Sequence, residues 1–282
     1  MSNSPSFIHI APRDLTQWAL SFDAAQLPIL AATADELDAL RLNEDRVDAH
    51  LLADVVANDP LMTLKLLAHV ARLRRGRDGT DTETVTAALV MLGISPFFAA
   101  FGPQAATVES QLAEQPAALA GFMNVLRRSR RAARFAIGFA VHRMDHDAPV
   151  IHEAALLHDF AELLLWLRAP SLALLIAQRQ RADAALRSST VQREVLHIEL
   201  VELEHALMLA WRLPALLVQM TDEQAAHTSL QMRNVQLAIR LARHSTLGWD
   251  NIALPDDMQA IAELLNLSVD AVHRLVLEID AD

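Results

Sequence analysis

Arg127, Arg130, Arg131 and Arg134 fall at i, i+3, i+4 and i+7, with Arg128 beside them, so on a helix their guanidinium groups share one face. Like charges at this spacing repel by roughly a few tenths of a kcal/mol per pair until something neutralises them. Two chemistries meet that need. Asp and Glu of the same chain can pair with the face, or it can hold an external anion, a nucleotide phosphate or an acidic patch of a partner protein, because planar guanidinium forks suit both. A second group, Arg72, Arg74, Arg75 and Arg77, sits where a helix ends, and there the helix dipole by itself favours cations. His142 and His146 have the i, i+4 spacing that chelates a metal on a helix, but Asp145 and Asp147 read as a loop, so these two, and His152 nearby, are expected to be surface histidines. The absence of cysteine excludes thiolate zinc sites, cysteine nucleophiles and disulfides within the chain.

The elements that carry these residues are helical. Of the 282 residues, 52% are hydrophobic and 21% charged, enough to bury a core. Seven glycines and 5% aromatic residues are too few for the tight turns and pleat-filling rings of a sandwich or barrel. Leu15, Trp18, Ala19 and Phe22 repeat at helical spacing. A segment from Pro28 to Leu42 follows, then a helix over 51–57. Asp59 is placed to cap a helix that has Pro60 in its first turn, buries Leu61, Leu64 and Leu67, and stops at Gly76. A polar loop over 77–81 leads to a helix opened by 82–84 and closed by Gly93, and Ser95-Pro96 starts another. Residues 103–118 are polar, with two prolines, and mark a lobe boundary. Helices are expected at 119–142, 150–168, 170–181 and 188–212, the last a long amphipathic one. Pro214 forces a kink or a restart, and helices near 231–245, 256–265 and 269–279 finish the chain.

Leu51 to Phe101 with its Asp59-Pro60, polar 74–81 and Leu92-Gly93, the run IHEAALLHDFAELLLW, and Ala210-Trp211-Arg212-Leu213-Pro214 occur in an order that resembles the HDOD domain, a degenerate relative of the HD metal-phosphohydrolases. The resemblance covers about residues 25 to 280. It implies an all-helical bacterial signalling module, usually without demonstrated catalysis and often fused to receivers or cyclic-dinucleotide enzymes; with no room for such a fusion, this chain is expected to stand alone.

The resemblance puts the HD doublet at His158-Asp159. HD hydrolases add a histidine from an earlier helix, a later histidine and a late aspartate, so that a metal lowers the pKa of bound water and clamps a phosphate oxygen. Here those positions fall on Arg128, on Leu200 and near Arg240 to Arg243. An arginine repels a metal rather than ligating it. Neighbouring side chains on one helix diverge by about 100°, so the doublet alone chelates poorly. His158 is therefore expected as an interior histidine and Asp159 as a helix-internal acceptor, with no metal, cofactor or phosphoester hydrolysis.

Residues 258–276 look like a helix-turn-helix, with Ala262, Leu267 and Val272 apolar and Ser268 placed to cap. Met232 to Asp282 carries four arginines against eight carboxylates, a net −4 in a chain of net −11, the wrong sign for phosphate contacts. The sequence thus reads as all-α and two-lobed, 1–105 and an HD-like 116–282. It is expected to be a cytoplasmic, non-catalytic adaptor for signalling proteins of unspecified identity, with no basic-apolar leader and no apolar run of about 18 residues for a membrane. The alternatives are a divergent HD-type phosphohydrolase using His158 and Asp159, or a receptor for an anionic nucleotide at the arginine face; DNA binding ranks last.

Overall fold

The computed structural model describes residues 7–74, 83–104, 106–183, 186–221 and 229–281. Gly76, the 77–81 loop, Thr82, Arg75 and Arg77 lie outside the described residues. Within them the chain is α-helical with short 3-10 turns, no strand forms, and a single isolated bridge pairs Ile29 with Thr107. The helices are α1 (Leu15–Leu20), α2 (Ala31–Arg41), α3 (Ala49–Val56), α4 (Pro60–Leu73), α5 (Val85–Leu92), α6 (Ile94–Ala100), α7 (Val108–Gln111), α8 (Pro116–Arg143), α9 (Ala148–Leu157), α10 (Phe160–Arg168), α11 (Pro170–Ala182), α12 (Ser188–Leu196), α13 (Leu200–Trp211), α14 (Ala215–Thr221), α15 (Leu230–His244), α16 (Leu254–Leu265) and α17 (Val269–Ala281).

They group into two compact units, Met1–Val125 with Asp159–Leu213, and Leu126–His158 with Pro214–Asp282. The expected lobes, 1–105 and 116–282, follow the chain; the compact units do not, because residues 159–213 join the N-terminal segment.

In the first unit α4 is the central helix. Leu61, Met62, Leu64 and Leu66 are fully buried and Thr63 with them, so the first two turns of this helix are covered all round rather than on one stripe, while Arg72 and Leu73 in its last turn are exposed. Asp59 is its N-cap: Oδ1 accepts from the N–H groups of Leu61 and Met62 at 2.9 and 3.1 Å. Its Oδ2 accepts from Leu30 N–H at 2.9 Å, the residue before α2, so α2 starts at Ala31 under this cap rather than at Pro28. Thr84 caps α5 and Gly93, at φ +83°, closes it. Helix α1 lies on α13, and the indole N–H of Trp18 donates to Leu196 O, the last residue of α12, at 2.9 Å. Helix α10 packs on α11 and α13, and α11 on α12.

In the second unit α9 packs against α14 and α15, α15 against α16, and α16 against α17. Asn234 Nδ2 on α15 donates to Ala136 O, and Arg143 Nη1 donates to Leu264 O at 2.8 Å.

Three expected segments differ. The polar stretch 103–118 contains a helical turn, α7, opened by a reciprocal capping box between Thr107 and Ser110. The expected 150–168 helix is two, broken at His158-Asp159. The expected 188–212 helix is also two: His197 takes a left-handed conformation (φ +66°), and Glu199 and Glu202 form a new capping box for α13.

Candidate functional site

His158 closes α9 and Asp159 opens α10, so the doublet is a two-residue link between helices. Asp159 is thus a helix-opening residue rather than the expected helix-internal acceptor. Both side chains are buried and both are engaged. Leu200 occupies the first position of α13. Arg240 donates to Asp257 Oδ1 at 2.6 Å, and His244 Nδ1 meets Asp257 Oδ2 at 2.5 Å; this carboxylate is fully buried and held by two bases. Met144, left-handed at φ +57°, terminates the helical register after His142 and separates it from His146. His152 is not the expected surface histidine: it lies on α9 and is half-buried, and burial pushes its imidazole below the usual histidine range. His197 is exposed, its Nδ1 3.1 Å from Pro12 O. Among the described residues no three His, Asp or Glu side chains gather into a group that could hold a metal.

The arginine face on α8 is split in its surroundings. Arg131 makes a two-pronged pair with Asp280 of α17, Nε to Oδ1 at 2.7 Å and Nη2 to Oδ2 at 2.9 Å, and Nη2 also donates to Ser245 Oγ at 3.0 Å. Its guanidinium lies over the rings of Phe135 and Trp249, 5.5 and 5.8 Å from their centroids. Arg134 approaches the same carboxylate at 4.0 Å. Part of the repulsion on this face is therefore answered from inside the second unit. Arg127 is exposed, Arg128 and Arg130 are half-buried, and none of the three lacks a partner.

A site that the sequence reading did not assemble lies in the first unit. Lys65, His69 and Arg72 occupy i, i+4 and i+7 of α4 and form a basic ridge. On one side is a cavity of about 360 Å³, lined also by Asp23, Trp211 and Arg212. On the other is one of about 270 Å³, lined also by Phe101 and Gln104. Lys65 is 7% exposed; its Nζ donates to Leu27 O and Gln104 Oε1, both at 2.8 Å, and burial pushes it below the usual lysine range. Arg72 Nη2 lies 3.3 Å from His69 Nδ1, and burial with the Arg72 charge lowers the histidine. The imidazole packs edge-on to Phe101. The signal in sequence was the 65/69/72 spacing around the chain's single lysine; Trp211 and Arg212, far along the chain, gave none.

The HDOD domain family model matches residues 27–227. The chain belongs to the HDOD family. The HDOD match ends before α15, α16 and α17, short of the reach to about residue 280 that the sequence resemblance implied. In this HDOD chain Asp59-Pro60 caps the central helix, and Trp211 ends α13, with Arg212 left-handed at φ +56° after it. The fold is similar to that of the MmoQ response regulator of Methylococcus capsulatus, at TM-score 0.66 and 19% identity over 89% of this chain and 98% of that one. It is also similar to a virulence factor of Campylobacter jejuni, at TM-score 0.64 and 16% identity over 90% and 88%. No curated protein sequence matches the chain. Among the described residues no single helix is long and apolar enough to cross a membrane.

Proposed function

We propose that this HDOD chain is a bacterial signal-transduction module that works by binding a partner protein and does not hydrolyse phosphate esters. The observation that supports this reading is the fate of the positions that resemblance to HD hydrolases assigns to ligands. Arg128 and Leu200 stand at two of them. At the third, Arg240 is turned to a buried Asp257 that His244 also engages. A site left with His158 and Asp159 has too few donors to hold a divalent ion and leave a position for water. The fold shared with a response regulator fits a signalling role. Partner binding is assigned to the arginine face, of which Arg127 is the exposed part.

The test pairs elemental analysis of purified protein with hydrolysis of bis-p-nitrophenyl phosphate in manganese or iron. Sub-stoichiometric metal and turnover no higher than buffer are expected. Stoichiometric metal, together with turnover that disappears in His158→Ala, would overturn the reading. On the binding side, a partner should co-purify reciprocally from the native host and be lost with Arg127→Glu, while the far-ultraviolet spectrum stays unchanged.

A further inference from the structure

The ridge on α4 is costly to build. Lys65 is a buried ammonium in mid-helix, where the helix dipole offers it nothing, and His69 and Arg72 stand one turn apart with their polar ends in contact. Arg212, the C-cap of α13, brings a further cation to the same cavity. The chain as a whole is acidic, at net −11, yet Asp23 is the one carboxylate lining either cavity among the described residues. Asp23 is committed to its own turn, accepting from Ala25 N–H at 2.9 Å. The helix C-termini account for placing Arg72 and Arg212; Lys65 stands away from a helix end, and the internal charge that favours its ammonium is that of the buried Asp59, which lines neither cavity.

Donor inventory points the same way. An ammonium has three N–H groups, and two of those on Lys65 go to neutral oxygens, Leu27 O and Gln104 Oε1. The third is left for an oxygen in the cavities that Lys65 lines. Because Arg72 donates to His69 Nδ1, the ring proton belongs on Nε2, which makes that nitrogen a donor as well. Arg72 and Arg212 supply planar forks suited to phosphate oxygens. Each cavity also has an aromatic wall. Trp211, braced from behind by Phe160 at 5.8 Å between centroids, lines the larger, and Phe101 the smaller. The larger is within the size range of small-molecule sites. Cations with an adjoining indole face recognise a phosphate joined to a planar base.

We infer that the cleft formed by Lys65, His69, Arg72, Trp211 and Arg212 binds a nucleotide, its phosphates on the ridge and its base against Trp211. This site is distinct from the arginine face of α8, and the inference does not rest on the adaptor reading: it adds a small-molecule input to a module that signals by partner binding.

The experiment is isothermal titration of the full chain with ADP and GTP, and with pyrophosphate and adenosine as half-ligands. A nucleotide is expected to bind more tightly than pyrophosphate, and adenosine weakly. Arg72→Ala and Arg212→Ala, both exposed positions, should each weaken the nucleotide by about tenfold or more. Trp211→Leu should remove the advantage of the nucleotide over pyrophosphate while pyrophosphate still binds. Lys65→Met tests the buried donor, with its melting temperature recorded alongside, and the two arginine variants keep the test intact should that protein not fold. Three results would overturn the inference: no heat from either nucleotide up to about 1 mM, nucleotide binding unchanged in the Arg72→Ala Arg212→Ala double variant, or binding abolished instead by Arg127→Glu.

Discussion

The carboxylate of Asp59 accepts on both oxygens, from Leu61 and Met62 at the head of α4 and from Leu30 before α2. Burial pushes this carboxyl above the usual carboxylate range, while those N–H donors and Thr33 pull it back. Asp59→Ala removes a helix cap, about 1 kcal/mol, and leaves the N–H of Leu30 buried without its acceptor, a further 1–3 kcal/mol or so. Equilibrium unfolding in urea should therefore show a loss of about 2–4 kcal/mol; a loss under about 1 kcal/mol would mean that the bond to Leu30 contributes nothing. His152 gives the molecule a pH dependence of definite sign. Its folded-state pKa is depressed by burial, so the unfolded chain takes up the proton first as pH falls. The stability present above about pH 6.5 is lost as pH drops toward the depressed value. His69, lowered by burial and by Arg72, acts in the same direction. Melting temperatures between about pH 7.5 and 5.5 should fall for the parent protein and fall less for His152→Gln; parallel curves would refute the assignment.

Helix α8 separates two glycines that look alike in sequence. A Cβ on Gly121 would sit 2.5 Å from the ring of Trp166, a rigid and buried indole. A Cβ on Gly138 would strike the terminal methyl of Ile279, the far end of a flexible side chain. Alanine in mid-helix gains about 1 kcal/mol over glycine, and overpacking costs about 1–3 kcal/mol. Gly121→Ala should thus destabilise, and Gly138→Ala should come out near neutral or stabilising by thermal melt; equal effects would contradict the packing. Helix starts of this kind were legible where a side chain announces them, as Asp59-Pro60 and Thr84 do. The breaks at His158-Asp159 and at His197 were not, because apolar spacing continues on both sides with neither glycine nor proline between. A left-handed histidine costs about 1–2 kcal/mol locally, and what holds it is tertiary: Ile198 and Leu200 are buried beyond it and Glu199 caps the next helix. The candidate sites divide in the same way. The spacing of the α8 arginines and of Lys65, His69 and Arg72 is a property of one helix and can be read from the sequence. That Asp280 meets Arg131, and that Trp211 comes to α4, depends on partners more than 130 residues away in the chain.

At the scale of the whole molecule, the first compact unit is assembled from both sides of residues 126–158. The N-terminal segment is tied to 159–213 by the Trp18 indole on Leu196 O, by Ile8 N–H on Arg168 O at 2.6 Å, and by Gln111 Nε2 on Leu167 O at 2.9 Å. Helix α1 lies against α13, and the Trp18 ring is fully buried. A fragment of residues 1–115 would keep α4 and its caps but strip this cover, exposing side chains worth roughly 1.5–3 kcal/mol each, enough to cancel the marginal stability of a domain. A fragment of residues 1–213 keeps every residue of the unit. The shorter fragment should therefore melt without a cooperative transition and show the red-shifted emission of a wetted Trp18, its single tryptophan. The longer one should melt cooperatively, with Trp18 still shielded. A sharp transition and blue-shifted emission from residues 1–115 alone would show that the N-terminal segment closes its own core, and that the contacts with α10, α12 and α13 are an accessory to the fold rather than part of it.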